Sequence, residues 1–85
     1  MFFVYFLKSG KDKNLYIGCT SDLRKRFKEH NSGLVRSTKP RRPWCLIYYE
    51  AYTSEQDAFQ REHNLKLRAK ALRQLKNRIK RSIEA

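Results

Sequence analysis

Residues 2–7, FFVYFL, are apolar or aromatic at every position, and this run restricts the fold more than any other part of the chain. On a strand, alternation sends Phe3, Tyr5 and Leu7 to one face and Phe2, Val4 and Phe6 to the other. Both faces are then apolar, which requires an interior strand in a sheet covered on both sides. Turn-forming residues follow at 9–14 (SGKDKN), and a second β-rich run begins at 15–17 (LYI), so the two runs form a hairpin. Tyr5 and Tyr16 then face each other on neighbouring strands.

Residues 15–30, LYIGCTSDLRKRFKEH, pass from that second strand through Gly18 into a basic helix. Thr20, Ser21 and Asp22 supply side-chain oxygens that can cap it. From Leu23 the period lengthens. Leu23 and Phe27 are four apart, as are Arg26 and His30, so an apolar row and a polar row run side by side. An arginine and an imidazole thus border the buried face near the strand that carries Tyr16, an arrangement suited to handling phosphate.

Asn31, Ser32 and Gly33 stop the helix, and residues 34–43, which hold Lys39, Arg41, Arg42 and two prolines, form an irregular, mobile basic loop. Residues 44–52 (WCLIYYEAY) make the third strand. Ser54 caps a second helix, with Asp57 in the capping-box position. Residues 69–83 form a third amphipathic helix on Leu72, Leu75, Ile79 and Ile83, with a break from the second near Arg68. The order is ββαβαα. The fold class is α+β, a small three-stranded, mostly antiparallel sheet flanked by helices, with residues 1–85 as one domain.

On the second helix, Ala58, Phe59 and Leu65 define an apolar stripe at about 100° per residue, and Glu62 falls near its middle. A carboxylate facing a core is costly unless a cation or a metal compensates it. An internal ion pair and a metal site both satisfy that demand.

Twenty Lys and Arg against 8 Asp and Glu leave a formal net charge of +12. Repulsion of that size points to a polyanionic partner, with nucleic acid first among candidates. Residues 2–7 are too short for a membrane span or a signal-peptide core, so no membrane partner and a cytoplasmic location are expected. Cys19 and Cys45 match no metal-ligand spacing and are expected to be unpaired.

Phosphodiester hydrolysis needs an activated water, cations on the phosphate and usually a metal held by carboxylate. Tyr5 or Tyr16 could be the base, Arg26 the phosphate clamp and Glu62 the metal holder. Neighbouring Arg and Lys should favour the phenolate and lower the tyrosine pKa from its usual value near 10.

Taken jointly, these residues resemble the GIY-YIG nuclease superfamily. Phe3-Val4-Tyr5 and Tyr16-Ile17-Gly18 form its two-part signature, Arg26 follows eight residues after Gly18 and His30 four later, and Glu62 lies within AFQREHNLK in the place of the family glutamate. The resemblance spans nearly the whole chain and is nearest to small stand-alone bacterial YhbQ-like members. It implies hydrolysis with one Mg²⁺ or Mn²⁺ on Glu62, water activation by Tyr5 or else Tyr16, phosphate stabilisation by Arg26 and proton-transfer assistance from His30. Phe3 stands where the signature has Gly. The family's late Asn has no counterpart at Asn64, too close to Glu62, or at Asn77 on a basic helix, and Lys70 is the polar group offered instead.

The function expected is therefore a metal-dependent endonuclease of low sequence selectivity, acting on DNA rather than RNA. Arg24, Lys39, Arg41, Arg42 and Lys70 would contact the nucleic acid backbone. The alternative is a binding module of the same fold with a weakened site.

Overall fold

Strand β1 (Phe2–Ser9) runs through the middle of a three-stranded sheet in the computed structural model, which describes residues Met1–Ala85. Its antiparallel neighbours are β2 (Leu15–Thr20) and β3 (Trp44–Tyr52), each an edge strand. The two-faced apolar pattern of β1 is answered by one layer on each side. Val4 and Phe6 pack with Ala58, Leu65, Leu75 and Ile79 from the later helices, while Tyr5 and Leu7 pack with Trp44, Tyr16, Leu23 and Phe27 on the side of α1 (Leu23–Ser32). A bulge in β3 between the Phe6 and Leu7 register positions puts Ile47 and Tyr48 against the same core.

Helix α1 starts where Asp22 Oδ1 accepts the Lys25 N–H at 3.1 Å and stops at Gly33, whose φ of 85° lies in the left-handed region. Helix α2 (Glu55–Leu67) begins at Ser54, whose hydroxyl accepts the Asp57 N–H at 3.2 Å, and ends at Arg68. The third helix of the sequence reading is two: α3 (Ala69–Arg78) and α4 (Lys80–Glu84), parted at Ile79. Leu75 and Ile79 are buried, with Leu72 and Ile83 packed against them, and the break lets Lys8 Nζ donate to the Ile83 carbonyl at 2.6 Å.

Two expectations fail on the helices and loop. Phe59 points to solvent at 53% exposure, because the inward stripe of α2 is Ala58, Arg61, Glu62 and Leu65, at spacings of three, one and three. Arg61, not Glu62, makes the stronger ion pair. It donates to both oxygens of Glu50 at 2.9 and 3.0 Å, and Tyr48 and Tyr52 donate to the same carboxylate at 2.6 and 2.5 Å. Burial raises the Glu50 pKa, but these donors outweigh it and hold the carboxyl below its usual value.

The basic loop is tied to the rest of the fold by side-chain contacts. Thr38 is buried, a 3-10 turn spans Lys39–Arg41, and the hairpin turn clasps it. Ser9 Oγ donates to the Arg41 carbonyl at 2.6 Å, Arg41 donates to Asp12 at 2.7 Å, and its guanidinium lies 4.7 Å from the centre of the Trp44 ring. The hydrogen bond from Arg41 is the main reason the Asp12 carboxyl is held down at about 2. No helix is long and apolar enough to cross a membrane.

Candidate active site

Four of the side chains picked from the sequence, Tyr5, Tyr16, Arg26 and His30, gather on the α1 side of the sheet, and the register sets how. Tyr5 pairs with Gly18 and Tyr16 with Leu7, so the two tyrosines share a face but are offset by two residues rather than directly opposed. Their ring centroids lie 6.4 Å apart. Because Gly18 has no side chain, the Tyr5 ring crosses over it, and a Cβ there would sit 2.3 Å from the Tyr5 hydroxyl oxygen. That close approach is why glycine occupies position 18.

His30 carries the polar row of α1 into the core and is fully buried. Its Nε2 lies 2.9 Å from the Tyr5 hydroxyl and its Nδ1 2.8 Å from Thr38 Oγ1. Thr38 Oγ1 donates to the Val35 carbonyl at 3.3 Å, so it accepts from Nδ1–H and leaves Nε2 as the acceptor of the Tyr5 proton. Tyr16 closes over the imidazole with ring centroids 5.1 Å apart, and Trp44 lies behind at 6.5 Å. The Trp44 indole N–H donates to the Thr38 carbonyl at 3.1 Å and fixes the far end of this file.

The electrostatics reverse one expectation. Arg26 and its hydrogen bonding do lower the Tyr5 pKa, but burial outweighs them and pushes the phenol up to about 12. The imidazole shifts the other way: burial first, then the charge of Arg26, holds the His30 pKa below its ordinary value, so it is neutral at pH 7. A buried neutral phenol thus aims its proton at a buried neutral imidazole.

Arg26 is partly exposed, pairs with Glu29 at 3.2 Å and lines a polar hollow of about 320 Å³ with Cys19, Thr20, Ser21, Asp22 and Lys25. Glu62 approaches from the opposite face of the sheet. Its charge adds to the dominant effect of burial in raising the pKa of both Tyr5 and Cys19. The carboxylate side chain is 21% exposed and meets Lys66 Nζ at 3.2 Å, and no group of three His, Cys, Asp or Glu side chains surrounds it. A single carboxylate suits Mg²⁺ or Mn²⁺, since such an ion keeps several waters and takes phosphate oxygens as further ligands.

The other cations are dispersed. Arg24 is exposed on α1, Lys39 and Arg42 are exposed at the 3-10 turn, Arg41 is spent on Asp12 and Trp44, and Lys70 is exposed in the first turn of α3. Asn77 is exposed on α3 and the Asn64 side chain accepts from Gln60 at 3.1 Å. Sequence reasoning missed Thr38, Glu29 and Trp44. Glu29 was findable as the residue three after Arg26 on a helix, whereas nothing local marks Thr38, whose role depends on a loop folding back onto α1.

The sequence profile described as the GIY-YIG catalytic domain matches residues 1–81. A UPF0213 protein of Staphylococcus aureus is 40% identical over 79 residues, covering 89% of this chain and 95% of its own. One from Clostridium perfringens is 42% identical over 67 residues, covering 78% of this chain and 71% of its own. The solution NMR structure of the UPF0213 protein BH0048 from Bacillus halodurans aligns with a TM-score of 0.55 at 33% identity, over 88% of this chain and 82% of that one.

Proposed function

The chain belongs to the GIY-YIG family, a family of nuclease domains, and we propose that it is a metal-dependent endonuclease that hydrolyses phosphodiester bonds, of DNA rather than RNA, with residues 1–85 as one catalytic unit. The observation that carries this reading is the file Tyr5–His30–Thr38, with contacts of 2.9 and 2.8 Å, set beside Arg26.

With its phenol pushed up to about 12, Tyr5 is almost wholly protonated at neutral pH and cannot act as a free phenolate. Coupled to His30 it needs no phenolate. As the attacking water approaches phosphorus, Tyr5 takes its proton and passes its own to His30 Nε2, which is neutral and already hydrogen-bonded to receive it. Thr38 keeps the imidazole in the accepting tautomer, and Arg26 holds a phosphate oxygen as charge builds. The water oxygen forms the new bond to phosphorus while the leaving sugar oxygen departs with the bonding pair. Glu62 would hold Mg²⁺ or Mn²⁺, which supplies charge neutralisation at the phosphate and leaving oxygen.

The Glu62–Lys66 contact of 3.2 Å favours a second reading, a binding module whose carboxylate is already compensated. The test is cleavage of labelled linear, nicked, branched and single-stranded substrates with Mg²⁺, Mn²⁺ or chelator, by wild type, Tyr5→Phe and Glu62→Gln. Metal-dependent cleavage by wild type, lowered about 10²-fold or more in both variants with binding retained, supports the nuclease. Binding without cleavage under every condition leaves the module.

A further inference from the structure

On the far flank of α1 from the polar hollow lies an apolar groove of about 490 Å³ lined by Phe3, Leu23, Phe27, Leu46 and Tyr49, with Arg24 among them. Its volume is that of a small-ligand site, and the Tyr5–His30 file makes no use of it. Tyr49 is 52% exposed, and Phe3 meets it edge-on with centroids 5.9 Å apart. Tyr49 is also the cross-strand partner of Tyr5, so groove and active site abut through one register pair. Ser21 and Asp22 line both the groove and the polar hollow, so the two adjoin at the start of α1.

From this adjacency we propose that the groove is a base-stacking subsite. It takes an unstacked nucleobase whose own phosphate rests in the hollow beside Lys25 and Arg26. The inference rests on the nucleic-acid reading above and adds to it a place where the protein grips a base rather than a backbone. The ligand matched to this pair of sites is flat and apolar at one end and anionic at the other, because the aromatic groove adjoins the hollow that holds Arg26, the residue assigned above to the phosphate, and Lys25. Asp22 and Glu29 also line the hollow, Asp22 capping α1 and Glu29 pairing with Arg26 at 3.2 Å, so Lys25 is the cation there without an ion-pair partner. A second copy of this chain is disfavoured as occupant, since it would bring another +12 against the same surface.

The test uses the full chain and one oligodeoxynucleotide carrying 2-aminopurine, presented single-stranded or annealed into a fully paired duplex, in chelator so that binding is read without cleavage. Tyr49→Ala should weaken single-strand binding roughly tenfold and abolish the stacking-induced quench of the probe, with duplex affinity unchanged. Tyr49→Phe, which keeps the ring, should bind like wild type. Equal losses on both forms, or no loss on either, would overturn the subsite while salt-sensitive wild-type binding left the nucleic-acid reading standing. Failure of wild type to bind either form would instead remove that reading, and the subsite with it. A wild-type dimer in sedimentation that Tyr49→Ala dissociates would assign the groove to a second copy and likewise overturn the proposal.

Discussion

Replacing Gly18 by Ala tests the close approach on which the site geometry depends. The added Cβ would lie 2.3 Å from the Tyr5 hydroxyl oxygen, 2.4 Å from Cζ and 2.9 Å from Cε1, whereas unstrained carbon contacts lie near 3.5–4.0 Å. Tyr5 is 1% exposed and flanked by His30, Leu7 and Tyr16, so the ring has no empty space to enter. A retreat of about an ångström would stretch the 2.9 Å bond to His30 beyond hydrogen-bonding length. Overpacking costs about 1–3 kcal/mol, and an unpaired buried His30 nitrogen about 1–3 more. The lower strand entropy cost of Ala offsets about 0.5–1. The net expectation is a loss of about 3 kcal/mol in urea unfolding with unchanged slope. In a Tyr5→Leu background, where no ring crosses Gly18, the same substitution should cost nothing or stabilise slightly. Tyr5→Phe should relieve little, because Cζ remains at 2.4 Å. Equal costs in the wild-type and Tyr5→Leu backgrounds would mean that Gly18 is not there to admit Tyr5.

Three further outcomes are open to measurement. Burial raises the phenols of Tyr5, Tyr48 and Tyr52 to about 12, so stability should hold below the unfolded value of 10 and fall as pH rises towards 12. Tyr5 accounts for about 2–3 kcal/mol of that alkaline limb, and urea melts of Tyr5→Phe should show it flattened. His30 is shifted the opposite way, by burial first and then by Arg26, so its contribution is present above about 6.5 and lost as pH falls towards its depressed folded value. Melts from pH 7 to 5 should show that decline in wild type and not in His30→Gln. Arg61→Met leaves Glu50 with only the two phenols and should cost about 2–4 kcal/mol in thermal or urea melts, while adding Glu50→Leu should recover much of the loss.

The central strand was legible because a six-residue run apolar on both faces admits no other placement. The cap at Ser54 was legible, and the ends of α1 were legible to within the triplets Thr20–Ser21–Asp22 and Asn31–Ser32–Gly33, because each rests on one side chain or one φ angle acting within four residues. The adjacency of Arg26 and His30 followed from helical spacing, but the depth of His30 did not. Its complete burial depends on Thr38 and Trp44, which a loop brings back across the sheet. On α2 the inward residues were misjudged because hydrophobicity nominated Phe59, whereas the face is completed by the stem of Arg61 reaching Glu50. The direction of the Tyr5 shift was missed for a related reason, since desolvation is a property of packing and not of neighbouring charges in sequence.

The middle place of β1 in the sheet also bears on how the chain survives its own synthesis. β1 emerges from the ribosome before both of its partners, and only the β2 edge can be covered by a local hairpin. The other edge of FFVYFL waits for Trp44–Tyr52, and the face bearing Val4 and Phe6 waits for α2 and beyond. During that interval a nascent segment with the makings of an aggregation nucleus is exposed, flanked on its C-terminal side by Lys8, Lys11 and Lys13, whose like charges act as gatekeepers. Nascent chains from which Trp44–Tyr52 has not yet emerged should therefore bind chaperone through residues 2–7, and emergence of the chain past Ile79 should end that binding.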